Sequence, residues 1–248
     1  MKRDLPFDLD DTLLRAELSR RVAAAIELLT DIAHRFEPAA LASSLGAEDM
    51  VLTDLIARHA PKIEIFTLDT GRLHPETYRL LQQIRDHYDD LRVRVLYPSA
   101  EALERLVATQ GINGFFESVE KRKACCEVRK VEPLRRALSG KRAWITGLRR
   151  AQSLTRASLP LQEYDAANGL EKFNPLADWK EQEVWAYIHH FGVPYNALHD
   201  RGFPSIGCEP CTRAVTPGED IRAGRWWWEQ PGGRECGLHP AARASAAD

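Results

Sequence analysis

The sequence lacks three features that would place it in a simple class of protein. It has no apolar run long enough to cross a bilayer, and its charged N-terminus, Met1 to Asp10, contains no apolar segment of the kind that directs secretion. Positive charge is not in excess, since 34 Lys and Arg residues face 36 Asp and Glu residues. We therefore expect a cytoplasmic protein that binds neither membranes nor nucleic acid.

Cysteine is also scarce, with five residues in 248, and their arrangement is unsuited to a disulfide framework. The number is odd, Cys125 and Cys126 are adjacent, and Cys208 and Cys211 form a C-x-x-C pair. Thiols stay reduced in the cytoplasm. This pattern favours metal binding or redox chemistry over disulfide formation.

The apolar residues predict an α/β fold with a mainly parallel sheet and helices on both of its faces. Segments with strand-like patterns alternate with segments of helical period, which is typical of such sheets. We expect an N-terminal helical segment (residues 1–36), an α/β domain (37–215) and a C-terminal segment (216–248). Helices are predicted at Leu13–Phe36, Glu48–His59, Pro75–Tyr88, Ala100–Thr109 and Lys180–Phe191, and strands at Ala39–Leu45, Lys62–Leu68, Leu91–Leu96 and Arg142–Gly147. After Arg156 the pattern loosens.

Three polar loops follow predicted strands, at the sheet edge where α/β proteins bind their ligands. The Ser43–Asp49 loop opens a helix, and backbone N–H groups at a helix N-terminus suit a phosphate, although the same residues also make a good helix cap. The second loop is Asp69–His74, and the third, Gly147–Arg156, carries several arginines. Together they predict an anion site at one edge of the sheet.

Four of the cysteines form a candidate metal site. Adjacent cysteines chelate a single ion poorly because neighbouring side chains diverge, whereas a [4Fe–4S] cluster can take them on different irons. Lys121, Arg122, Lys123, Arg129 and Lys130 supply compensating positive charge. Zinc bound by four thiolates and unliganded core cysteines remain alternatives from the residues alone.

The fifth cysteine, Cys236, lies near the C-terminus after Gly232 and Gly233. Arg234 and His239 flank it and would favour its thiolate. By itself it would be read as an incidental surface cysteine. Arg222 and Arg225, upstream of three consecutive tryptophans, are either solvated surface charge or ligands of a phosphate or sulfate.

These motifs together resemble the assimilatory adenylyl-sulfate reductases, which are close relatives of the phosphoadenylyl-sulfate reductases. The resemblance covers roughly Leu41 to His239. Its motifs are the Ser43–Asp49 loop, the run from Leu68 to Thr77, Cys125-Cys126 with Arg129-Lys130, Gly147 to Arg150 with Gln152-Ser153, the Cys208/Cys211 pair, and Glu235 to His239. One departure is Leu45, which stands where relatives often have Ser or Thr.

The resemblance implies an adenine-nucleotide α-hydrolase-like fold and a role for each matched residue. It implies a [4Fe–4S] cluster on Cys125, Cys126, Cys208 and Cys211. The catalytic residues implied are Cys236 as the nucleophile, Lys130 between cluster and substrate, and His239 at the substrate anions. The substrate-binding residues expected are Ser43, Ser44, Gly46, Asp69, Gly71, Arg72, Arg149, Arg156, Arg222 and Arg225.

The implied activity is the thiol-dependent reduction of adenylyl sulfate to sulfite and AMP, in sulfate assimilation and cysteine biosynthesis. The implied partner is thioredoxin or a glutaredoxin-like reductant, and a homo-oligomer is left open. The main alternative is a phosphoadenylyl-sulfate reductase or an enzyme that uses both substrates. An ATP pyrophosphatase is disfavoured because its Ser-Gly-Gly-x-Asp-Ser loop is replaced here by Ser-Leu-Gly-Ala-Glu-Asp, and a non-enzymatic metal-binding module leaves Cys236 unexplained.

Overall fold

The computed structural model describes residues 12–152 and 156–229, which form a sheet with helices packed on it. Its helices lie close to the predicted positions, and two more, α5 and α6, follow α4. The helices are α1 (Thr12–Arg35), α2 (Ala47–His59), α3 (Pro75–His87), α4 (Ala100–Gln110), α5 (Val119–Cys126), α6 (Glu132–Leu138) and α7 (Glu181–Phe191). The strands are β1 (Ala39–Ala42), β2 (Glu64–Leu68), β3 (Val93–Leu96), β4 (Ala143–Ile145), β5 (Gln162–Asp165) and β6 (Leu170–Phe173).

The strands form one sheet in the order β3-β2-β1-β4-β6-β5. Every neighbouring pair is parallel except β5 with β6, so the predicted mainly parallel α/β fold is confirmed. The sequence did not predict the β5–β6 hairpin. The reason is that β5, Gln-Glu-Tyr-Asp, is a polar edge strand with no apolar alternation to reveal it.

Alternate residues of the central strands face opposite sides of the sheet, and each side has its own core. Leu41 pairs with Ile65 on one neighbour and with Ile145 on the other, and all three pack against α1, α2 and α7. The adjacent pair, Ala40 and Trp144, belongs to the second core, to which α6 contributes. Burial on both faces explains why these strands are almost entirely apolar.

Helix α1 is an integral part of the first core. Ala25, Leu29 and Ile32 on this helix are all buried against the sheet and its neighbouring helices. Across the two described ranges, no helix is long and apolar enough to span a membrane.

A buried carboxylate, Asp54 on α2, connects this helix to the end of α3 and to α7. Its oxygens accept hydrogen bonds from the hydroxyls of Tyr88 (2.9 Å) and Tyr187 (2.7 Å) and from Nε of Arg58 (2.9 Å). Burial, together with this carboxylate, raises the pKa of both phenols well above the ordinary range. The network joins α2 to α3 and α7 and so fixes the helix that begins in the first loop.

Candidate active site

The carboxyl ends of β1, β2 and β4 open into a cavity of about 240 Å³. This is the edge at which parallel α/β sheets bind ligands, because the loops leaving neighbouring strands converge there. Ser43, Ser44 and Gly46 line it from the first loop, as predicted, and Thr70 lines it from the second. The third loop contributes Gly147 and Arg149 among other residues.

The first loop turns sharply at Leu45, whose φ of 62° is unusual for a residue other than glycine. This conformation directs the Leu45 side chain into the main core, where it is 1% exposed. The backbone N–H of Leu45 donates to Oγ of Ser43 at 3.2 Å, which ties the turn to the end of β1. An apolar residue at this position therefore serves packing, although it removes a hydroxyl from the loop.

Asp49 joins the first loop to the third. One of its carboxylate oxygens accepts from both N–H and Oγ of Ser44, each at 2.6 Å, and the carboxylate also accepts from the backbone of Gly147. Burial raises the pKa of Asp49 from 3.8 to about 6, against the opposing effect of the Ser44 hydrogen bonds. No sequence pattern marks Asp49 for this role, because a Glu-Asp pair after a loop is also an ordinary first helical turn.

Replacement of Gly147 by alanine is expected to weaken substrate binding about tenfold or more, together with a stability loss of about 1–3 kcal/mol. The added Cβ would lie 2.3 Å from Oδ1 of Asp49 and 3.2 Å from its backbone nitrogen, so the two loops must separate. Titration calorimetry with substrate and thermal unfolding check both effects. Gly192→Ala is the control, since its Cβ enters open space and only its φ of +65° is unfavourable. Equal affinity losses in the two variants would contradict a role for the Asp49–Gly147 contact.

Replacement of Asp49 by asparagine is expected to change how stability depends on pH. Because the folded pKa is raised above 3.8, the folded protein holds a proton that the unfolded chain has released, and stability falls as pH rises to about 6. At neutral pH this effect lowers the free energy of unfolding by at most roughly 3 kcal/mol. The asparagine variant should lack this decline. Denaturant unfolding at a series of pH values from about 4 to about 7.5 measures the free energy of unfolding of both proteins. A decline of the same size in both proteins would assign it to other groups.

The second loop is held together by hydrogen bonds of its own residues. Oδ1 of Asp69 accepts from the N–H of Gly71 (2.8 Å) and from the hydroxyl of Tyr78 (2.9 Å), and burial with this contact raises the pKa of Tyr78 to about 12. Arg72 donates to the carbonyl of Ile112 (3.0 Å) and to Oδ1 of Asn113 (2.8 Å). Asp69, Gly71 and Arg72 thus shape the loop, and its neighbouring Thr70 and Leu73 line the cavity instead.

Four of the predicted arginines line the cavity, and they come from two distant parts of the chain. Arg149 is buried and pairs with Glu48 at 2.8 Å, and it also donates to the carbonyl of Trp179. Arg156 donates to Gln152. Arg222 and Arg225 approach from the C-terminal side. Such a concentration of guanidinium groups suits a ligand with more than one negative charge.

All four predicted metal-site cysteines line a second, smaller cavity beside the first. Cys125 and Cys126 end α5, and an isolated bridge from Leu73 to Cys208 brings the C-x-x-C segment to the second loop. Thr70 Oγ1 lies 3.2 Å from Sγ of Cys208. Within the parts of the chain that the structure describes, no group of three or more His, Cys, Asp or Glu side chains is arranged to hold a metal ion. The cluster therefore stays a prediction.

The electrostatic surroundings of the thiols differ. Burial raises the pKa of Cys125, and burial with the neighbouring Cys208 raises that of Cys211 to about 12. Burial also acts on Cys208, but Lys130 and the Thr70 hydroxyl outweigh it, so that its pKa lies below the ordinary value. Of these three thiols, only Cys208 has a pKa below the ordinary value, and the positive charge of Lys130 is the main cause.

Lys130 lines both cavities, and so do Arg225 and Trp226. The lysine lies in a π-helical turn, Glu127–Val131, that directly follows Cys126 and leads into α6. Single π turns inside helices occur frequently at functional sites, because the extra residue redirects the side chains around it. The structure therefore brings Lys130 to both the arginine-lined cavity and the cysteine-lined cavity, and its role in catalysis stays a prediction.

Two predicted catalytic residues, Cys236 and His239, lie outside the described residues, and their roles stay predictions. The sequence did not mark Glu229 as part of the site, and Arg122 was expected only to supply compensating positive charge beside the cysteines. Arg122 is instead fully buried against Glu229. No local pattern marks such a pair, because its partners are 107 residues apart.

Residues 38–214 match the family model described as the phosphoadenosine phosphosulfate reductase domain. This match covers well over half of the chain, and the chain belongs to that family. The resemblance inferred from the sequence motifs is thereby confirmed.

Within the family, the chain is similar to proteins named adenosine 5'-phosphosulfate reductase, which is another term for adenylyl-sulfate reductase. The protein from Allochromatium vinosum is 59% identical over 222 residues, covering 90% of this chain and 86% of the relative. The one from Burkholderia cepacia is 54% identical over 228 residues, covering 92% and 91%.

A solved structure is also similar, the phosphoadenylyl-sulfate reductase of Candida auris in a phosphate complex. It has a TM-score of 0.67 at 27% identity, covering 84% of this chain and 99% of that one. Yeast FAD synthetase, at 15% identity and a TM-score of 0.58, shares the fold alone. The expected mainly parallel α/β fold is confirmed.

Proposed function

We propose that this protein reduces adenylyl sulfate to sulfite and AMP in sulfate assimilation, with Cys236 as the nucleophile. The observation that carries the proposal is the position of Lys130 and Arg225, each of which lines both the cavity at the sheet edge and the cysteine-lined cavity. A reductase needs its anionic substrate held beside the groups that assist the reaction. The names of the relatives at 59% and 54% identity support the same substrate.

The cavity suits the phosphosulfate group of this substrate. Ser43, Gly46 and the N-terminus of α2 offer hydroxyl and N–H donors to a phosphate. Arg156, Arg222 and Arg225 would bind the phosphate and sulfonate oxygens, with Arg149 held in place by Glu48. These cations would also reduce the repulsion between a dianionic substrate and a thiolate nucleophile, because they are positioned before the reaction begins.

The proposed chemistry requires two electrons, which thiols supply. The thiolate of Cys236 attacks the sulfonate sulfur, an S–S bond forms, the bond from sulfur to the bridging oxygen breaks, and AMP leaves with that electron pair. A thiolate of the reductant then attacks Sγ of Cys236, which releases sulfite and leaves a mixed disulfide. The second thiol of the reductant resolves this disulfide and restores Cys236. Lys130 would stabilise the charge that develops on the leaving oxygens.

Cys125, Cys126, Cys208 and Cys211 would hold a [4Fe–4S] cluster. Four thiols that share one cavity are the donor set that this cofactor uses, and Lys130, Arg129 and Arg122 beside them offset its negative charge. When bound, the cluster would supply an electrostatic field beside the substrate. Metal and sulfide analysis with visible absorption spectroscopy tests this assignment, and one equivalent of zinc without sulfide would overturn it.

The reductant would be thioredoxin or a glutaredoxin-like protein, and the compartment would be the cytoplasm. Both follow from the chemistry, since the S-sulfocysteine is released by dithiol exchange in a reducing environment. A phosphoadenylyl-sulfate substrate is the second candidate. The identity with adenosine 5'-phosphosulfate reductases, which is about twice that with the Candida auris phosphoadenylyl-sulfate reductase, disfavours it.

One experiment tests the reaction and its substrate together. The anaerobic protein is incubated with adenylyl sulfate or with phosphoadenylyl sulfate, without a reductant, and its peptides are analysed by mass. We expect one sulfonate group on the Cys236 peptide, formed faster with adenylyl sulfate. Sulfonate on another cysteine would overturn the assignment of the nucleophile, and faster reaction with phosphoadenylyl sulfate would overturn that of the substrate.

A further inference from the structure

A buried ion pair joins the last described residue to the helix that carries two of the cysteines. Arg122 on α5 donates through Nε and Nη2 to the two carboxylate oxygens of Glu229, both at 2.8 Å. The two side chains are only 1% and 4% exposed. A bidentate pair of this kind fixes both the distance and the orientation of its partners, which a single contact between exposed charges does not.

The residues just before Glu229 are also held in place by buried contacts. Two guanidinium groups lie over the Trp226 ring, with Cζ of Arg122 and Cζ of Arg225 each 4.8 Å from the ring centroid. Its φ is 44°, and a bulky residue keeps such a conformation only when its surroundings impose it. Trp226 is 2% exposed, so this stack lies inside the protein.

Backbone hydrogen bonds extend this attachment to the C-x-x-C segment. The N–H of Trp226 donates to the carbonyl of Cys211 at 3.0 Å, and Thr212 forms an isolated bridge with Arg225. The N–H of Glu229 donates to the carbonyl of Trp226 at 2.8 Å. The chain is therefore fixed to both pairs of cysteines up to Glu229.

We propose that the Arg122–Glu229 pair is the anchor from which the chain delivers Cys236 to the substrate, so that both are positioning residues for the reaction. This inference rests on the proposed role of Cys236. Cys236 follows Glu229 by 236 − 229 = 7 residues. Seven residues span at most about 25 Å even when fully extended, so the position of Glu229 limits where the thiol can reach.

The physical benefit is a high effective concentration of the nucleophile. A thiol on a short segment with a fixed origin searches a small volume, which raises its encounter frequency with a bound substrate. If the last residue held in place lies earlier in the chain, the volume accessible to the Cys236 thiol grows, and the reactive orientation is populated less often. Attack on a bound substrate should therefore slow, whereas the affinity for that substrate, set by the cavity, should change little.

The test uses the full chain with Glu229→Gln, which keeps the shape of the side chain and removes its charge. The matched control is Glu117→Gln. It removes the exposed ion pair between Glu117, which lies just before the same helix, and Lys121 in the first turn of that helix. The measurements are the single-turnover rate of Cys236 sulfonation at saturating adenylyl sulfate, the Kd of that substrate, and amide hydrogen exchange at Trp226 and Glu229. Glu229→Asp, which keeps the charge but shortens the side chain, gives a milder change if the glutamine variant folds poorly.

We expect Glu229→Gln to slow sulfonation roughly 10- to 100-fold while the Kd changes less than about threefold, with Glu117→Gln like the wild type. Exchange at Trp226 and Glu229 should accelerate in Glu229→Gln alone. An unchanged sulfonation rate, or a rate and affinity that fall together, would overturn the anchor. If wild-type Cys236 acquires no sulfonate, the proposed nucleophile fails, and unchanged exchange in Glu229→Gln would separately overturn the anchor.

Discussion

Replacement of Cys236 by serine is expected to lower sulfite formation by roughly 10⁴-fold or more. The reaction needs a nucleophile that is ionised near neutral pH and that a second thiol can later release from sulfur. A serine hydroxyl satisfies neither requirement, because it stays protonated and would form a sulfate ester that thiol exchange does not cleave. Steady-state sulfite release with a dithiol reductant measures the loss.

Binding should survive in the same variant. The cavity is lined by Ser43, Arg149, Arg222 and Arg225, which supply the hydroxyl and guanidinium groups expected to bind the substrate anions. The Kd for adenylyl sulfate, measured by calorimetry, should therefore stay within about threefold of the wild type, since rate and binding separate when a residue acts only in the transition state. Ala241→Ser, in the same C-terminal segment, serves as the control. Continued sulfite release by Cys236→Ser would require another nucleophile.

Replacement of Lys130 by methionine is expected to lower kcat roughly 10²- to 10³-fold, which is the effect of removing one preorganised charge from a reacting centre. Lys130 lines both cavities and lowers the pKa of Cys208. Methionine has a similar length, so the π turn at Glu127–Val131 should persist. Steady-state kinetics and the sulfonation rate of Cys236 measure the change.

Lys123→Met provides the matched control for this prediction, since Lys123 is exposed on the preceding helix and lines neither cavity. It should retain the wild-type rate. Thermal unfolding of both variants separates a lost charge from a lost fold. A Lys130→Met protein that unfolds several degrees earlier and loses its metal, with little change in kcat per folded site, would assign the lysine a structural role instead.

The main sheet and its helices could be predicted because their signals are local. β1, β2 and β4 are short apolar runs between turns. α2 and α3 each follow a loop whose last residues are a recognisable helix start. The hairpin of β5 and β6 could not be predicted in the same way. β5 is polar and gains its place by pairing with β6, a contact that no residue pattern within the strand records.

The second loop illustrates a limit of motif reasoning about the site. Asp69, Gly71 and Arg72 belong to a run that the family shares, and the sequence suggested that they contact the substrate. In the structure they do not line the cavity at the sheet edge, and they stabilise the loop: Asp69 accepts from Gly71 and Tyr78, and Arg72 donates to Asn113. Their contact with substrate stays a prediction. A residue pattern identifies the loop but not which of its side chains face the cavity.

The sequence by itself determined the fold class, the family and the chemical types available, above all two pairs of cysteines and a separate Cys236. Residue type and spacing along the chain carry that information. Only the tertiary structure decided that Asp49 clamps two loops, that Lys130 lies between two cavities, and that Arg122 and Glu229 meet 107 residues apart. Those contacts arise when distant segments pack, and burial then determines how strongly each charged group interacts with its neighbours and how far its pKa shifts.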